Sequence, residues 1–111
     1  MTDPIASDSD KYSVIFENER VRVLNYLDAP GARTDPHEHP DSVMITLSSF
    51  ERRLRQGEQS VDVHLDAHSV RWLDAQSHAG ENIGQSATHV IFVELKANAA
   101  GTPPGDALGP A

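Results

Sequence analysis

The chain has 111 residues, 38% apolar and 23% charged, with a formal net charge of −8 from 17 acidic and 9 basic residues and no cysteine. That is material for one domain, too mixed for a collagen, coiled coil or mucin, and without disulfides, thiolate metal sites or cysteine nucleophiles. The acid excess and the lack of a Lys/Arg stripe exclude a nucleic-acid footprint, and the longest apolar runs, 14–16 and 90–93, fall far below the roughly 18 residues of a membrane helix, so a cytoplasmic protein is expected.

In chain order, residues 1–10 mix Ser, Asp and Pro with a single Ile. They bury too little apolar surface to offset their ordering entropy, and a flexible N-terminal tail is expected. The folded domain is expected over 11–96. Short β-branched runs fill it at 12–16, 21–27, 43–47, 50–55, 60–65, 70–73 and 88–95. Turn residues fall at Asp28-Ala29-Pro30-Gly31, Gln56-Gly57-Glu58 and Ala79-Gly80. Val61, Val63 and Leu65 alternate with Ser60, Asp62 and His64, and Val21 and Val23 with Arg20 and Arg22, as strands with one buried face do. No stretch of a dozen residues keeps a helical period. The expected fold is all-β, a small antiparallel barrel or double-sheet jelly roll. Residues 97–111, rich in Pro, Gly and Ala, are expected to be a flexible C-terminal tail.

The segment richest in chemistry is Thr34-Asp35-Pro36-His37-Glu38-His39-Pro40-Asp41. Asp35 and His39 precede prolines and are biased to extended backbone, so His37 to His39 reads as the start of a strand. Residues i and i+2 share a face, and the same parity carried onward places His37 and His39 with Val43, Ile45 and Leu47 on the inner side. Two inward imidazoles need a partner for their nitrogens, and a divalent metal is the usual one; the alternative is a polar strand entrance with two solvated rings. A second segment, Gln76-Ser77-His78-Ala79-Gly80-Glu81-Asn82, puts His78 just past a strand, where a lone histidine is otherwise surface decoration.

Other residues carry a functional and a plain reading. His89 opens the last strand, and if His89, Ile91, Val93 and Leu95 face inward its ring reaches the site as an orienter or base; the plain reading is a partly buried, hydrogen-bonded His. Arg53 and Arg33 are candidate anion clamps or solvated cations. Trp72 is a core residue or an aromatic wall of a ligand pocket. Gln76 and Glu81 flank His78 as pocket polar groups or loop residues. His64 and His68 read as solvated and as a turn residue.

Together the two histidine segments resemble the cupin superfamily. Its first motif runs Gly, five residues, His-x-His, then a Glu and a closing Gly, and here Gly31 precedes His37 and His39 at that distance. Its second motif ends in His, three residues, Asn, matched by His78 and Asn82. Val43 stands where the family has its Glu ligand, and Ser49 where the motif closes in Gly; the second motif's opening Gly and Pro-x-Gly turn are absent. The resemblance implies a jelly roll with one divalent metal (Fe, Zn, Ni, Mn or Cu) on His37, His39 and His78; Asp41, the one nearby carboxylate on ligand parity, reads as a rim or turn-capping residue, with replacement of the missing Glu as the alternative. A neutral donor set leaves the ion's charge uncompensated and favours anionic ligands. The implied function is a mononuclear metalloenzyme for a small anionic or chelating substrate, of oxygenase, lyase or isomerase type, with His89 or Glu81 carrying protons. The alternative is a non-catalytic binding or sensing module. A homodimer joined through sheet edges is expected, with no nucleic-acid or membrane partner.

Overall fold

The computed structural model describes residues 3–96, so the expected C-terminal tail lies outside the described residues. One helical turn, α1 (Pro4–Ser7), precedes β1 (Tyr12–Glu17), β2 (Val21–Asp28), β3 (His37–His39), β4 (Ser42–Thr46), β5 (Phe50–Gln56), β6 (Gln59–Leu65), β7 (Val70–Leu73), β8 (Gln76–Asn82) and β9 (Thr88–Leu95). All pairings are antiparallel. They build a five-stranded sheet in the order β1-β2-β9-β4-β7 and a four-stranded sheet in the order β3-β8-β5-β6. This is the double-sheet form of the expected jelly roll; the sheets do not close into a barrel. No helix among the described residues is long and apolar enough to cross a membrane.

The core lies between the sheets, from Tyr12, Leu24, Tyr26, Met44, Phe50, Leu65, Val90 and Phe92. In β6 the inner set is Leu65, Val63 and Val61, as the alternation implies, opposite Phe50, Arg52 and Leu54. In β2 the expectation is reversed. Leu24, Tyr26 and Asp28 are buried and share a face with Arg22, while Val21 and Val23 lie on the other side. Arg22 tolerates that side because Asp3 and Glu94 pair with it, at 2.5 and 2.7 Å.

Two further differences bear on the site. His37 and His39 are buried, and so are Ser42, Met44 and Thr46, so parity switches across Pro40-Asp41. The cause is a change of sheet: β3 belongs to the four-stranded sheet and β4 to the five-stranded one. Val43 and Ile45 therefore face outward. Ala79-Gly80, expected as a turn, sits mid-strand in β8, where Leu54 pairs with Gly80. Glycine stands there for clearance: a Cβ at position 80 would lie 2.8 Å from Nη2 of Arg52. That guanidinium cannot swing away, being bonded to Asp28, Thr88 and Tyr26.

The N-terminal segment also departs from expectation. Residues 3–10 pack on the domain: Pro4 is fully buried, Asp8 is 3% exposed, and Asp3 holds Arg22. Composition argues for a tail because apolar area is scarce, but ion pairs and hydrogen bonds do the docking here.

Candidate metal centre

His37 and His39 come from β3 and His78 from the middle of β8, where His37 and His78 are register partners and His39 pairs with Gln76. An antiparallel pair places i and i+2 of one strand beside j and j−2 of the next on one face, which brings the three rings together. Their centroids lie 4.7, 5.2 and 5.1 Å apart, and one nitrogen from each falls within 4.8 Å of the others, a group able to hold a metal ion.

Each ring has one nitrogen already engaged. Nδ1 of His37 meets a carboxylate oxygen of Asp8 at 3.2 Å, Nδ1 of His39 meets Glu94 at 3.1 Å, and Nδ1 of His78 meets Oε1 of Gln76 at 3.2 Å. These partners are acceptors, so each Nδ1 carries the proton and each Nε2 is left with its lone pair as an acceptor. Carboxylate or amide behind a ligating imidazole fixes its tautomer and raises its basicity. The donor set therefore fits a divalent cation, and the two buried carboxylates behind it correct the expectation of an uncompensated charge. The Tyr12 hydroxyl lies 3.4 Å from Nε2 of both His37 and His39. Burial pushes its ionisation far up, so it remains an O–H donor.

Two of the three rings, His37 and His78, are held neutral. Burial lowers the pKa of His37, with His39 adding to the effect, and burial with the neighbouring His39 and His37 pushes His78 down to about 3. A cavity of about 150 Å³ opens beside it, with His37, His78, Tyr12, Tyr26, Arg52 and Arg71 in its walls. Phe92 stacks on His39 at 5.2 Å and screens the ring from water.

Of the remaining candidates, only Gln76 reaches the cluster. His89 does not: Thr88, Val90, Phe92 and Glu94 are the buried set of β9, and the His89 ring lies on the opposite face, 2.7 Å from Oδ1 of Asn25. Glu81 is on the outer face of β8, between Arg33 and Arg55 at 3.3 and 3.4 Å. Arg33 is therefore spoken for and exposed, and Arg53 pairs with Asp62 at 2.8 Å on the outer face of β5, whose inner side carries Arg52. Trp72 is 53% exposed on the outer face of β7, neither core nor pocket wall. Asp41 is an exposed turn cap, accepting the Ala75 N–H at 2.8 Å, and is no substitute for the missing Glu. His64 is solvated beside Asp66, and His68 holds a turn with φ of 66°.

Sequence reasoning missed Asp8, Tyr12 and Glu94. Glu94 carried a signal: on the even set of β9, with Val90 and Phe92, a carboxylate must be buried and therefore partnered. Asp8→Ala is expected to weaken metal binding about 10–100-fold while leaving the three ligands in place, measured by competition with a chelating dye.

No family model and no curated protein matches the sequence. Solved structures do. A cupin domain from Bordetella pertussis Tohama I is 26% identical, with a TM-score of 0.72 over 78% of this chain and 92% of that one. A double-stranded β-helix protein from Klebsiella pneumoniae is 25% identical, with a TM-score of 0.63 over 79% of this chain and 77% of that one. A predicted oxalate decarboxylase from Thermotoga maritima, 17% identical with a TM-score of 0.54 over 77% of this chain and 79% of that one, shares the fold.

Proposed function

We propose that this chain, which belongs to the cupin superfamily, is a mononuclear three-histidine metalloprotein acting on a small anionic or chelating organic molecule. The observation that carries the reading is the convergence of one imidazole nitrogen from each of three histidines beside a cavity of about 150 Å³. Structural metal sites are closed by four protein ligands, whereas three ligands facing open space is the catalytic pattern. A divalent ion held there, of the Fe, Zn, Ni, Mn or Cu group that accepts imidazole, supplies Lewis acidity toward a substrate oxygen, which suits oxygenase, lyase or isomerase chemistry.

The chain's own residues do the rest. Asp8 and Glu94 hold His37 and His39 in one tautomer, and Arg22 steadies Glu94. Tyr12 presents its O–H to the space the ligand nitrogens face, as a hydrogen-bond donor to an oxygen of the bound molecule. His89 and Glu81 have no part in this. Full-length protein prepared without a histidine tag, loaded with each metal in turn and analysed by plasma mass spectrometry, is expected to hold one ion per chain. Oxygen-uptake and absorbance assays with pentane-2,4-dione and small thiols then test turnover. Ligand binding without turnover would favour a non-catalytic sensing module, and no metal uptake would overturn the reading.

A further inference from the structure

We propose that Arg71 anchors the carboxylate of a small acid whose other end reaches the three-histidine cluster; this rests on the metal reading above and names the class of ligand. Among the described residues Arg71 is the one basic side chain with no hydrogen bond or ion pair, in a chain holding 17 acids against 9 bases. Arg71 sits opposite Met44 on the inner face of β7, an edge strand of the five-stranded sheet, and shares the cavity wall with His78. The other cavity cation, Arg52, is already neutralised by Asp28 at 2.7 Å.

The cavity that Arg71 shares with the histidines is lined mostly by apolar side chains, Leu54, Val63 and Leu73 among them. A cavity of about 150 Å³ takes a body of roughly six carbons. The fitting ligand therefore has a metal-chelating oxygen pair at one end, a short apolar middle, and a carboxylate at the other end. The planar guanidinium meets such a carboxylate with two parallel N–H donors.

A matched pair of probes tests this: succinic monohydroxamate and butyrohydroxamate, which share the chelating head and differ in the distal carboxylate. Cobalt-loaded full-length protein is titrated with each, following the visible bands of the ion. Wild type is expected to bind the carboxylate probe about tenfold or more tighter than the neutral one, Arg71→Gln to lose that preference, and Arg71→Lys to keep part of it. Equal preference in wild type and Arg71→Gln overturns the assignment of Arg71 alone. Failure of wild type to take up cobalt removes the metal reading and this inference together.

Discussion

Replacing His78 with alanine is expected to abolish stoichiometric metal binding and, in the metal-free protein, to flatten the loss of stability on acidification. Two ligands from β3 cannot close a site whose third nitrogen comes from β8, so metal analysis of His78→Ala and of His37→Ala should find none, while His64→Ala, on the solvated face, keeps its ion. The pH effect follows from the same burial. An unfolded histidine protonates near 6.5, whereas burial and its neighbouring rings hold folded His78 down to about 3, with His37 lowered as well. The unfolded chain therefore binds more protons in this range, and stability is complete above 6.5 and lost as pH falls toward the folded value. The slope is up to about 1.4 kcal/mol per pH unit for each such histidine. Urea midpoints measured from pH 7 to pH 4 should fall steeply in the metal-free wild type and less so in His78→Ala. Identical slopes would mean that the rings are not held neutral, and metal retained by both ligand variants would refute the centre itself.

The second large effect is expected at the floor of the cavity. Arg52 is 8% exposed, with Nη1 bonded to Asp28 at 2.7 Å and Thr88 at 3.1 Å. Asp28 also accepts hydrogen bonds from Asn82 at 3.0 Å and from the Tyr26 hydroxyl. Arg52→Leu removes the counter-ion of a carboxylate left almost wholly buried, which costs about 3–5 kcal/mol. Removing both charges, Arg52→Leu with Asp28→Asn, leaves no orphaned ion and should recover most of that loss. Denaturant unfolding of the two variants decides it: a double variant no more stable than the single one would show that packing of the guanidinium, not charge pairing, is what the fold loses. The network also matters to function, since Arg52 adds to the forces that keep His78 neutral.

The apparent conflict between an acid-rich chain and a site built on neutral histidines resolves in this arrangement. Asp8 and Glu94 lie behind the rings rather than among the ligands, so they orient imidazoles without closing the open positions. Asp3 and Arg22 extend the support of Glu94 to the N-terminal segment. The residues around α1 are thereby part of the site, although they bury little apolar surface.

Local pattern was enough for the seven longer runs of β-branched residues, for the His-x-His pair and for the all-β class, because alternation and turn chemistry act over a few residues. His78 was coupled to that pair only through the resemblance of the two segments to the cupin motifs. Which face of a strand turns inward was decided only by the tertiary structure. In β2, β4 and β9 both faces are apolar or mixed, so hydropathy has no preference, and the choice falls to which sheet each strand joins and to which buried charges find partners. That is why Val43, His89 and Trp72 lie outside while Arg22, Arg52 and Glu94 lie within. Gly80 shows the same limit: its lack of a side chain reads locally as a turn, yet the reason for it is a guanidinium from another strand, 28 residues earlier in the chain. Sequence alone determines which segments extend and which side chains are candidates to hold a metal ion; proximity between distant segments determines what those side chains face.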